Sequence, residues 1–115
     1  MTDTFRQLCT EVYKATVYEA RYEKCCLHYQ RVLDYIVAHP EEHDEIAAAF
    51  SRRVRAQCAM PGDPSGLDCQ IYLVQFLMQT LRWPEIKTAA EDGYQNGDGP
   101  GWIEVKHLLE IYDAA

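Results

Sequence analysis

Apolar residues recur at spacings of three and four along the start of the chain: Phe5, Leu8, Val12 and Ala15, then Tyr22, Cys26, Tyr29, Leu33 and Ile36. That period belongs to an α-helix with one face turned inward. Residues 1–39 contain neither Gly nor Pro, so nothing in the backbone chemistry interrupts the pattern. The spacing predicts one long first helix. Glu19 stands where the row requires an apolar residue, and a bend or an end at 16–19, giving two helices, is the alternative. Val17, Leu27, Val32 and Val37 widen the stripe beyond a two-position coiled-coil seam, which favours packing within a bundle over a paired coil.

His39-Pro40 closes this segment, because proline is unfavourable inside a helix and comfortable in its first turn. A second helix is predicted over 40–59, with Ile46, Ala49, Phe50, Val54 and Cys58 inward. Its early acids (Glu41, Glu42, Asp44, Glu45) and late arginines (Arg52, Arg53, Arg55) match the helix dipole at both ends and need no functional explanation. Two prolines and two glycines in 60–66 make that stretch a loop. A third helix over 67–82 is apolar nearly all round and therefore central to the core. Pro84 opens a fourth through 92, residues 93–101 carry four of the six glycines and read as a loop, and a fifth helix spans 102–112. The result is a single all-α domain over residues 1–115, either an irregular helical bundle or a small α-solenoid-like stack of about five helices.

Charge changes the picture most. The net charge is −7. Residues 1–40 are neutral and 41–60 carry −1, so six of the seven negative charges fall in 61–115. A nucleic-acid binder needs the opposite sign to neutralise phosphates, and a peripheral membrane protein needs a basic face. A basic protein surface is the natural complement, and solubility alone is the bland reading. No apolar run reaches the ~20 residues that span a bilayer, and the start of the chain lacks the three-part pattern of a signal peptide; a cytoplasmic location is expected. Five cysteines without framework spacing (Cys9, Cys25, Cys26, Cys58, Cys69) are expected as free, small apolar side chains.

Candidate chemistry is thin. Asp92, Asn96 and Gly97 align with positions of a calcium loop, but Tyr94 and Ile103 occupy ligand positions, so no calcium site is expected. Cys25 and His28 share a helix face without a second ligand pair, and His43 sits among acids already assigned to a helix start; no metal and no cofactor are expected. There is no glycine-flanked serine, no histidine motif and no phosphate-cradling glycine pattern, so no catalytic residue is assigned. Tyr13, Tyr18, Tyr22, Tyr29 and Tyr35 surround the first segment and cannot all be in the core. An exposed tyrosine is a rigid, amphipathic contact group. Aromatic and acidic groups also gather in the later part of the chain. The candidate contact set is therefore Asp63, Asp68, Glu91, Asp92, Tyr94, Asp98, Trp102 and Glu104. The expectation is a small acidic module that binds a basic protein, for which an immunity or antitoxin-type inhibitor of a nuclease toxin is one concrete role. A homodimeric structural or adaptor protein paired through the first helix is the alternative, and a metal protein or enzyme using Cys and His is the third.

Overall fold

Thr2 begins the fold: its backbone is extended and its hydroxyl accepts the Phe5 N–H at 3.3 Å, capping helix α1, Asp3–Thr16. The structure, a computed structural model, describes residues 2–59, 66–69, 71–81, 84–96 and 110. α1 buries Phe5, Cys9, Val12 and Thr16, and α2, Tyr22–Ala38, buries Cys25, Tyr29, Val32 and Ile36. Both rows step by four, three and four. The two helices run antiparallel, since Thr2 meets Tyr35 at one end and Glu11 meets Arg31 nearer the other.

The first segment is therefore two helices, not one long helix. α1 ends where the Val17 N–H bonds the Tyr13 carbonyl and the Glu19 N–H bonds the Thr16 carbonyl. An unbroken helix would point Glu19 into the core. Turning the chain leaves that carboxylate half-buried and able to accept the Arg21 N–H at 3.0 Å, at the threshold of α2 where backbone donors lack partners. The extra apolar residues separate in consequence: Val32 is buried, but Leu27 and Val37 are exposed, because they fall outside the Cys25–Tyr29–Val32–Ile36 row.

Pro40–Glu42 forms a single 3-10 turn that leads into α3, His43–Ala59, so the predicted second helix starts one turn later. Residues 67–69 are not helical, contrary to the predicted third helix; Leu67 and Cys69 are buried there, and α4 spans Ile71–Leu81. Arg6 donates to the Gly66 carbonyl and Thr10 to Asp68 Oδ2, both at 3.2 Å, pinning this segment to α1. Gly66 has φ +70, a left-handed conformation that a side chain would strain. α5 spans Pro84–Asn96, four residues beyond the predicted end, so residues 93–96 continue a helix and do not open a loop. That helical geometry also removes the calcium-loop alignment at Asp92 and Asn96. The predicted fifth helix at 102–112 lies outside the described residues apart from Glu110, which is helical.

α3 lies most extensively against α5, α1 against α2, and α4 against both α2 and α3. Small residues allow the first pairing: Ala47, Ala49 and Ser51 on α3, and Ala89 and Ala90 on α5, are all buried. Between α2 and α4, Tyr22 meets Tyr72 edge-on at 6.0 Å, Tyr29 lies 5.9 Å from Phe76, and the Tyr22 hydroxyl donates to Gln79 at 3.2 Å. Near-equal extents of 33 × 31 × 29 Å favour a bundle over an elongated stack. The molecule is an all-α helical bundle, with five α-helices and no strand among the described residues, whereas a solenoid stacks sequence neighbours along one axis.

Candidate partner-binding surface

Three of the eight predicted contact residues have described side chains. Asp68 is exposed on the segment pinned to α1, where Thr10 donates to it. Glu91 and Asp92 are exposed on α5. Glu91 pairs with Lys87 one helical turn away, and Asp92 pairs with Arg55 of α3, each at 3.8 Å. The structure thus sets Asp68 against α1 and the α5 acids against α3, so closeness in sequence does not make them one cluster. Tyr94 is in the last turn of α5; its side chain, with Asp63, Asp98, Trp102 and Glu104, lies outside the described residues.

Between α3 and α5 runs an open cleft of about 520 Å³. Its floor is small, with Ala47, Ala48 and the nearly buried Ser51, whose hydroxyl donates to the Glu85 carbonyl at 3.3 Å. Charges of both signs rim it: Asp44 and Glu85 against Arg52 and Arg55. Sequence position alone sends these to separate helix ends. Packing α5 across α3 brings them to one opening, beside Asp92. Exposed ion pairs at such distances contribute at most about 1 kcal/mol each, so an approaching charged surface can exchange them at small cost.

A second constellation, which sequence reasoning missed, occupies the corner between α2 and α3. Glu42 is buried; its carboxylate accepts the Thr2 N–H at 3.3 Å through Oε1 and the Tyr35 hydroxyl at 2.5 Å through Oε2. The Tyr35 proton goes to the carboxylate, so the Thr2 hydroxyl, 2.9 Å away, donates to Tyr35. The Tyr35 bond holds the Glu42 carboxyl below its ordinary value, and the same bond to Glu42 raises the Tyr35 phenol. The His39 ring stacks on Tyr35 at 3.9 Å, with Nδ1 2.8 Å from the Tyr35 carbonyl. Ligand atoms of His39, Glu41 and Glu42 lie within 4.8 Å of one another, the one such group among the described residues. The available signal was His39-Pro40, which ends α2 with the His39 ring against Tyr35. Nothing in the sequence announces Thr2 as a partner forty residues away.

The Cys25 and His28 pairing does not develop into a site of this kind. Cys25 is buried and its thiol points to the Glu19 carbonyl at 3.9 Å. Burial pushes the thiols of Cys9 and Cys25 above their ordinary value, so neither provides a thiolate near neutral pH. Cys9, Cys25, Cys26 and Cys69 form no disulfide, and all but the half-buried Cys26 serve as core side chains. No helix of the described residues is long and apolar enough to cross a membrane. Compared with protein-family models, with curated proteins and with solved structures, the chain matches none.

Proposed function

We propose that this protein is a binding module for a basic protein surface, engaged through the acidic face of α5 and the neighbouring acid-rich chain. The observation that carries the reading is the exposure of Glu91 and Asp92 on α5, where they form surface pairs at 3.8 Å with Lys87 and Arg55, within a region that holds six of the seven net negative charges. A basic partner offers these carboxylates more and closer cations than Lys87 and Arg55 supply, and complementary potentials speed encounter. An inhibitor that covers the basic active site of a nuclease toxin is one role with this profile, and cytoplasmic location belongs to the same proposal. The test is affinity capture of the tagged protein at low and high salt, then direct binding of the identified partner. A basic partner released by salt, and bound at least tenfold more weakly by a D68N/E91Q/D92N variant, is the expected result, three charges being removed. Unchanged affinity in that variant overturns the reading.

Self-association is a second reading with its own observation: Leu27 and Val37 on α2 are 76% and 63% exposed, and Tyr18, in the turn before it, is 96% exposed. Sedimentation equilibrium decides it. A dimer that L27E converts to monomer supports pairing through α2, and a monomeric wild type removes it.

A further inference from the structure

The corner that joins α2 to α3 holds the donors of a metal site, and its supporting bonds are already made. His39 ends α2 with φ −127 and ψ 64, outside the helical region, and its ring lies against Tyr35, one turn back along α2. Its Nδ1 lies 2.8 Å from the Tyr35 carbonyl. A carbonyl only accepts, so Nδ1 carries the proton, and the lone pair of the neutral ring is on Nε2. The stacked Tyr35 ring, 3.9 Å away and tilted by 17°, fixes the imidazole plane. A metal-ligating histidine is ordinarily held in this way, donating its other ring N–H to a carbonyl or carboxylate.

The oxygen donors are arranged with equal economy. Glu42 is 8% exposed and its carboxylate is oriented from two sides by the Thr2 N–H and the Tyr35 hydroxyl. Each oxygen accepts one of these bonds and retains a lone pair. Glu41, in the same turn, is exposed and free to swing. One donor atom from each of the three residues lies within 4.8 Å of the others. Tetrahedral coordination at about 2.0–2.1 Å separates ligands by roughly 3.3 Å, and rotation of the exposed Glu41 side chain brings its carboxylate toward the His39 and Glu42 donors.

We infer that His39, Glu41 and Glu42 bind a divalent transition-metal ion of the zinc class, with water completing the coordination. One imidazole and two carboxylates suit zinc, nickel or manganese, while the absence of thiolate from the set disfavours copper(I) and iron–sulfur chemistry. The ion ties the end of α2, the turn and, through Glu42, residue Thr2 of the N-terminal cap.

The experiment uses the full chain, stripped with chelator, kept reduced, and titrated with zinc chloride by calorimetry. One ion per chain is expected. E41Q, a change at an exposed side chain that leaves the fold intact, weakens binding by about tenfold, and H39Q by about 100-fold. C25S/C26S leaves it unchanged. Cobalt(II) loaded in place of zinc gives ligand-field bands without a thiolate-to-cobalt charge-transfer band. No saturable binding, affinity indifferent to both E41Q and H39Q, or a thiolate band each overturns the site. E41Q keeps the test decisive even where H39Q disturbs the corner.

Discussion

Tyr29 shows how a single side chain is at once the best-placed and the worst-served residue of the core. Its ring is fully buried, 6.4 Å from Tyr22 and 5.9 Å from Phe76, but its hydroxyl, beside Thr16 and Cys25, makes no hydrogen bond of good geometry. Burial accordingly pushes the phenol above its ordinary value. A buried unsatisfied hydroxyl costs about 1–3 kcal/mol, whereas the ring itself is a major packing element. Tyr29→Phe is therefore expected to keep or raise stability, by up to about 1 kcal/mol, and Tyr29→Ala to lose about 3–5 kcal/mol, both read from urea unfolding. A loss above about 1 kcal/mol in the Phe variant would reveal a partner for the hydroxyl. Residue-scale burial was only partly legible in the sequence. Phe5, Val12, Tyr29 and Ile36 fall on the predicted face and are buried. Cys9 and Thr16 replace Leu8 and Ala15 as the most buried positions of α1, and Cys25 and Val32 replace Cys26 and Leu33 in α2. Hydropathy ranks Thr16 as polar, but its hydroxyl donates to the Val12 carbonyl at 2.8 Å and so enters the core already satisfied.

At the scale of elements, the junction between α1 and α2 is the place where local preference and tertiary packing disagree. The absence of Gly and Pro argued for continuity, and only Glu19 argued against it. Packing α1 back against α2 prevails, since an isolated long helix with a buried charge in its stripe has less apolar surface to cover. The junction remains poorly capped: Arg21 occupies the N-cap of α2 with no side-chain bond, and the Glu19 carboxylate substitutes by accepting the Arg21 N–H. Arg21 is exposed, so its replacement removes little. Arg21→Ser supplies an acceptor to the first turn and is expected to add about 0.5–2 kcal/mol, measured as a rise in the urea midpoint at constant slope. An unchanged midpoint would mean that Glu19 already completes the cap. The boundaries at Ile71 and Asn96 were illegible for a related reason. Leu67 and Cys69 are apolar because they plug the core from a non-helical segment, and helical periodicity cannot distinguish a short plug from a first turn.

For the whole molecule, charge was the most legible property and its placement the least. The −7 net charge is a statement about composition. The fold distributes it, leaning Asp68 on α1, facing Asp92 to Arg55 and surrounding the α3–α5 cleft with both signs. Two explanations of a salt-sensitive complex then make different demands. If net charge alone steers a basic partner, removing any two exposed acids has the same effect. If the α5 face is the contact, position decides. Matched variants separate them: E91Q/D92N against E23Q/D34N, which removes the same charge from exposed positions of α2. Long-range steering is screened beyond about 8–10 Å at physiological salt, so the α2 pair contributes little once the partner is near. The expected outcome is an association rate several-fold lower for E91Q/D92N, a dissociation rate changed less, and near wild-type kinetics for E23Q/D34N. Stopped-flow measurement at two ionic strengths reads both constants. Equal slowing in the two variants would reduce the acidic half to a general field, and the contact surface would have to be sought elsewhere on the bundle, first at Leu27 and Val37.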